Sequence, residues 1–154
     1  MGGRFSRNKG LRMERELVNL FLDAGISAER VPLSGAAGGS FSGDISFAAV
    51  PGKDWVGEVK ARATGFARLY KLLDTNSTAH LTDDLGAPVA VLCSLIHFFA
   101  VRSEVVGALA GEIKTQMPTQ ITGWLGSNDA LFLRRDRSPW LCVVPLDRWQ
   151  ELQK

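Results

Sequence analysis

The sequence predicts one α/β domain with a mixed central sheet flanked by helices, on three observations. An amphipathic helical pattern opens the chain, two alternating apolar–polar runs meet at a Pro-Gly turn, and short apolar runs interleaved with helical stretches follow. At 154 residues and 45% hydrophobic content, the chain is long enough to bury one full core. No internal repeat and no linker divides it.

Residues 1–10 read as a flexible basic arm. Arg4, Arg7, Lys9, Arg12 and Arg15 crowd the start of the chain with only Glu14 close against them. Such an arm suits phosphate binding, a solubilising tail being the alternative. From Leu11 to Ala24 the positions Leu11, Met13, Leu17, Val18, Leu20, Phe21 and Leu22 recur at helical spacing, and Gly25 is a stop signal. Glu14 lies at the edge of that apolar face and can reach inward. Glu16 points roughly 200° away from it at ~100° per residue, and Arg12 or Arg15 is its expected partner.

Ser27 to Leu33 reads as a short strand leading into the small-residue loop 34–43. Its glycines and serines would let backbone amides approach a phosphate, or form a plain connection. No Gly-Lys-Ser/Thr follows, which argues against nucleotide triphosphate binding.

Gly43-Asp44-Ile45-Ser46-Phe47 and Trp55-Val56-Gly57-Glu58-Val59-Lys60-Ala61 then form a hairpin around Pro51-Gly52-Lys53-Asp54. Ile45, Phe47, Trp55, Val59 and Ala61 point one way, and Glu58, Lys60, Asp44 and Ser46 the other. Strand parity makes this conditional. A two-residue turn at Gly52-Lys53 would put Asp44 and Glu58 on opposite faces. An odd loop or a bulge near residues 50–55 would set Glu58 across from Ala48 and Lys60 across from Ser46, with Asp44 on their face. The odd loop or bulge is the expectation.

Farther on, residues 62–79 read as a helix whose Arg68 and Lys71 line a nucleic-acid groove or a solvated face. Pro88 to Ser94 is a buried strand and Ile96 to Val101 its neighbour, with Ser103 capping a helix over 104–110. Residues 112–128 carry only a weak pattern. Ala130 to Arg135 and Trp140 to Val144 read as two strands, and 146–153 as a closing helix. Arg134, Arg135 and Arg137 form a second basic cluster that clamps DNA or solubilises a hairpin tip. The expected order is helix, three antiparallel strands, helix, strand, then additional strands at an edge. His97, beside Phe98 and Phe99, reads as structural; His80 is placed near a helix end.

A net charge of +2 is only mildly basic, so the distribution of charge rather than its total points to nucleic acid. Cys93 and Cys142 sit inside apolar runs and read as buried free thiols, without the CxxC or paired histidines of a zinc site. The amino terminus has no apolar signal core, and no apolar run approaches the ~20 residues that span a bilayer. A soluble, cytoplasmic protein without membrane association is expected.

The hairpin carries the chemistry. Two carboxylates about one side chain apart call for a cation, and hard oxygen ligands favour Mg2+, with Mn2+ as substitute, over zinc. Such an ion, held by Asp44, Glu58 and the Val59 carbonyl, would activate water against a phosphate, with Lys60 orienting the water or stabilising the developing charge. The product is phosphodiester hydrolysis. A solvated strand face is the bland alternative for Glu-x-Lys alone.

With Asp44 upstream of Glu58-Val59-Lys60, a glutamate-bearing helix before it and basic residues at the start, the pattern resembles the PD-(D/E)xK nuclease superfamily. Within it, Lys9 to Leu17, Arg30-Val31-Pro32-Leu33-Ser34-Gly35, Gly43-Asp44-Ile45 and Glu58 to Arg62 resemble the Holliday junction resolvases of archaea and their phages, over about the first 65 to 80 residues. The resemblance implies a restriction-endonuclease-like fold, with Glu14 as the helix glutamate and a further metal ligand, Asp44 and Glu58 as metal-binding acids, and Lys60 as the catalytic lysine. Ser34 matches a loop serine near the scissile phosphate. Arg30 and Arg62, inside these motifs, join the basic residues expected on DNA. It further implies a homodimer acting on branched DNA in recombination and repair. The second half shows no such resemblance. Other DNA substrates (flaps, ends, duplex sites) and a catalytically silent DNA-binding module remain the alternatives.

Overall fold

The computed structural model describes residues 2–31 and 43–152, with side chains from residue 7 onward. In chain order it contains helix α1 (Gly2–Asp23), strands β1 (Ala28–Arg30), β2 (Ile45–Val50) and β3 (Lys53–Arg62), and helix α2 (Ala67–Leu72). Strands β4 (Thr78–Thr82) and β5 (Pro88–Ser94), helix α3 (Leu95–Arg102), strand β6 (Lys114–Gln116) and helix α4 (Thr119–Leu125) follow. Strands β7 (Ala130–Arg135) and β8 (Leu141–Pro145) and helix α5 (Leu146–Glu151) complete the order. The strands form one mixed sheet, β1-β2-β3-β7-β8-β5-β4-β6.

Two apolar layers sandwich this sheet. Met13, Leu17 and Phe21 of α1, Phe98 of α3 and Trp149 of α5 pack on one face with Phe47, Trp55 and Phe132. Leu69 of α2 and Ile121 and Leu125 of α4 pack on the other with Leu81, Leu92, Leu131 and Leu133. The mixed sheet flanked by helices is therefore present and compatible with a restriction-endonuclease-like fold. Among the described residues no helix is long and apolar enough to cross a membrane.

The late strands are not edge additions. β7 pairs parallel with β3 and antiparallel with β8, in the middle of the sheet. Ala130, Leu131, Phe132 and Leu133 are all buried, alternating between the two layers. A strand apolar at every position is satisfied only where both faces are covered, whereas the three-residue β1 and β6 take the edges.

Four further expectations are corrected. The first helix begins at Gly2, so residues 2–10 extend α1 instead of forming a flexible arm. Its stretch before Leu11 holds no proline, and Lys9 is tied to Asp136 at 2.9 Å. The helix after the hairpin is confined to Ala67–Leu72, and Thr78–Thr82 is instead β4, which places His80 in a strand. There Thr78, Ala79, Leu81 and Thr82 are buried between β5 and β6.

Ile96 to Val101 belongs to α3, with Leu95, Phe98 and Val101 buried at a spacing of three. Ser94 caps it, its hydroxyl accepting the His97 N–H at 3.1 Å, while Ser103 closes the helix and residues 104–110 form none. A run apolar on nearly every residue hides its period, which is why it reads as a strand. The weakly patterned 112–128 stretch supplies β6 and α4. Cys93 and Cys142 are buried free thiols, as expected.

Candidate active site

The β2–β3 hairpin turns through Pro51 and Gly52, with Gly52 at φ 78°, and a bulge interrupts the ladder between Ala48 and Val50. The expected irregularity exists, slightly earlier than the 50–55 window, and it delivers the expected parity through a different register. Ala48 lies opposite Asp54, not Glu58, and Ser46 opposite Val56, not Lys60. Ile45 pairs with Gly57, so the next step of the ladder sets Asp44 beside Glu58. The Asp44 N–H donates to the Gly57 carbonyl at 2.8 Å. Cross-strand packing of Phe47 on Trp55, ring centroids 6.1 Å apart, holds this register.

β3 outruns β2. From Gly57 to Arg62 one edge of β3 is paired with β7, while its pairing with β2 ends at Gly57. Asp44 occupies the edge left open, its Oδ2 accepting the Val59 N–H at 2.8 Å. A residue's N–H and C=O leave a strand on the same edge, so the Val59 carbonyl shares that edge with Asp44. Gly43, at φ 101°, turns the chain into this position. A Cβ there would collide with Val56 Cγ1 and stand 2.7 Å from Asn128 Oδ1, so any larger residue forces a shift.

Charge is concentrated here. The Glu58 carboxyl is pushed up to about 7, first by burial, then by a hydrogen bond to Asp44 and the Asp44 charge, with Glu14 adding and Lys60 opposing. Glu14 is raised as well, by burial and by Asp44, against the pull of Arg30, whose Nε lies 3.3 Å from Glu14 Oε1. Lys60 Nζ stands 3.7 Å from Glu58 Oε1. Asp44 and Glu58 thus meet, with Lys60 at their side and Glu14 near enough to be felt.

Among the described residues no three acidic, histidine or cysteine side chains form a closed metal cage. The donor set is nevertheless all oxygen, and the upward push on Glu58 from burial and from Asp44 marks a place where a cation would relieve the crowding of negative charge. Glu14, drawn to Arg30, stands at its margin.

A cleft of about 390 Å³ opens beside the site, between Lys9, Gly10 and Met13 of α1 and the segment from Val59 to Ala63. A larger cavity of about 500 Å³, lined by Asp74, Asn76, Ser94 and His97 among others, shares no residue with the site, whereas the first cleft shares Val59 and Lys60. That cleft, lined by Lys60 and Arg62, adjoins the carboxylates without including them.

The basic residues divide. Arg7, Arg12 and Arg15 are exposed on α1, and Arg68 and Lys71 are exposed on α2 across the sheet. Arg30 turns inward to Glu14. The second basic cluster is largely structural. Arg134 pairs with Glu16 at 2.8 Å, so Glu16 finds its partner there and not in Arg12 or Arg15. Arg135 lies over the Tyr70 ring at 4.6 Å. Ser34 lies outside the described residues, as does the side chain of Arg4. His97 stacks on Trp149 away from the site.

One residue at the site goes unnoticed in the sequence. Trp124 of α4 places its ring centroid 5.7 Å from Lys60 Nζ and 5.1 Å from Arg62 Cζ. Pro118, Gly123 and Gly126 break up the local pattern, and no short-range signal connects residue 124 to residue 60.

Residues 5–72 match the family model of the archaeal Holliday junction resolvases (Hjc). The matched span holds Glu14, Asp44, Glu58 and Lys60 and ends in α2, so the resemblance carried by those motifs recurs over the same amino-terminal part of the chain, less than half of its length. Residues 73–154 lie outside it. No curated protein matches the chain.

Proposed function

Starting from the resolvase-family match over residues 5–72, we propose that this chain is a Mg2+-dependent, structure-selective DNA endonuclease that hydrolyses phosphodiester bonds at four-way junctions. The observation that carries the proposal is the meeting of Asp44 and Glu58 on the open edge of β3, with Lys60 3.7 Å from Glu58. Asp44, Glu58 and the Val59 carbonyl would hold Mg2+, or Mn2+ in its place, with Glu14 at the margin. When bound, the ion supplies a water of lowered pKa and charge stabilisation for the phosphate.

The chain's own groups do the rest. The Val59 N–H fixes one oxygen of Asp44 and so orients the other. Glu58 gives up its proton to act as a carboxylate. Lys60 presents an ammonium to the charge that develops on the phosphate, and the exposed arginines of α1 steady the DNA backbone. Paired nicks across a junction need two sites, which a homodimer provides.

The test is cleavage of a labelled four-way junction and a duplex of the same sequence, with and without Mg2+, by the protein and by Lys60→Ala. Paired nicks in the junction alone, lost without metal and reduced to a slow residual rate with Lys60→Ala, are expected. Equal cutting of duplex would remove the junction preference. Binding without cuts in any metal would leave a silent DNA-binding module.

A further inference from the structure

Lys60 and Arg62 are two residues apart on β3, so they leave the same face of the sheet about 6.5 Å apart. A single indole answers both, with Lys60 Nζ 5.7 Å and Arg62 Cζ 5.1 Å from the Trp124 centroid. That ring is firmly mounted. Ile121, one turn earlier on α4, and Leu125, the next residue, are buried in the second apolar layer. Phe66 braces the ring edge-on, centroids 6.0 Å apart at 77°. Phe66 itself sits at φ 60°, a backbone conformation that a bulky residue adopts only when its surroundings hold it.

We propose that Trp124 is a positioning residue for Lys60. The inference rests on the nuclease reading above. A lysine has a long, freely rotating stem, and an ammonium that must meet one phosphate oxygen gains from a surface that restricts it. Glu58, 3.7 Å from the ammonium, holds it from one side and offsets part of its charge. The aromatic face of Trp124 attracts the cation through its quadrupole from another side and adds no second counter-charge to compete with the phosphate. One ring beneath two neighbouring cations also offsets their mutual repulsion. The second half of the chain thereby enters the active site, although the resolvase-family match stops at residue 72.

The test combines kinetics with a measurement that needs no activity. Single-turnover junction cleavage in saturating Mg2+, junction affinity and melting temperature are compared for the protein, Trp124→Leu and Trp124→Phe, each with and without Lys60→Ala. Trp124→Leu should slow cleavage about tenfold, with affinity changed by less than about threefold. Trp124→Phe should restore most of the rate, and Trp124→Leu should add nothing in the Lys60→Ala background. Full-rate cleavage by a folded Trp124→Leu, or a loss that adds fully to that of Lys60→Ala, overturns the proposal.

In metal-free protein the Lys60 Hε resonances, assigned by their disappearance in Lys60→Arg, should be shifted upfield by the indole ring current. Unshifted resonances overturn the positioning role even if Trp124→Leu fails to fold. Absence of cleavage by the unmodified protein on every DNA, with the ring-current shift present, overturns the nuclease reading and leaves the Lys60–Trp124 geometry standing.

Discussion

The Asp44 carboxylate accepts the Val59 N–H at 2.8 Å, across the edge of β3 that β2 leaves uncovered. A strand that outruns its neighbour exposes unpaired backbone groups. Here one of them is satisfied by an acid of the site, so the ladder's end and the site's geometry are a single feature.

Asp44→Asn and Asp44→Ala should therefore separate fold from chemistry. The asparagine side-chain oxygen can still accept the Val59 N–H, so stability should hold within about 0.5 kcal/mol while cleavage falls about 10²- to 10³-fold. Alanine leaves that amide open at a further cost of about 1 kcal/mol. Denaturant unfolding and cleavage rates measure both. An Asp44→Asn enzyme retaining more than a tenth of the rate would remove Asp44 from the site.

Glu58 predicts a pH dependence. Its folded-state value of about 7 lies above the ordinary 4.5, so the folded protein holds more protons between the two. The stability this contributes to the metal-free protein is full below about pH 4.5 and is lost as pH rises to 7, on the order of 1–3 kcal/mol in all. Unfolding in chelator at pH 5 and pH 7.5 should show the loss, and Glu58→Gln should flatten it. Because a proton competes with the ion, apparent Mg2+ affinity should weaken as pH falls below 7. A Glu58→Gln profile matching that of the unmodified protein would contradict the assignment.

Gly43→Ala tests the approach to Asp44. The added Cβ would collide with Val56 Cγ1 and stand 2.7 Å from Asn128 Oδ1, at a φ of 101°. The chain must shift there, displacing Asp44, so destabilisation of about 1–3 kcal/mol and a loss of cleavage of at least tenfold are expected. Wild-type cleavage by Gly43→Ala would show that the acid is not held by this turn.

Ser94 and Ser103 form a control pair away from the site. Ser94 caps α3 and Ser103 begins no helix. Ser94→Ala should cost about 1 kcal/mol and Ser103→Ala less than about 0.5 kcal/mol, read from melting temperatures. The reverse order would favour a helix after Ser103.

Much of the site is legible in the sequence because its parts are local. Glu58, Val59 and Lys60 are consecutive, Pro51-Gly52 announces the turn, and alternation of period two assigns faces without knowledge of anything else. The requirement for a bulge also follows from parity. The particular register does not, because Phe47 on Trp55 and the bulge at Ala48–Val50 decide it together, through packing that distinguishes pairings of equal parity. The missed elements, β4, α3 and α4, are short, and tertiary burial outweighs the weak propensities of such segments.

The sequence by itself determined the α/β class, the acid-bearing hairpin with its lysine, and the glutamate-bearing first helix, since each is a pattern among residues a few positions apart. Only the tertiary structure decided that β7 lies beside β3, that Asp44 meets Glu58 across an open edge, and that Trp124 reaches Lys60. Those are contacts between distant residues, selected by which apolar faces can be buried together, and no periodicity along the chain encodes them.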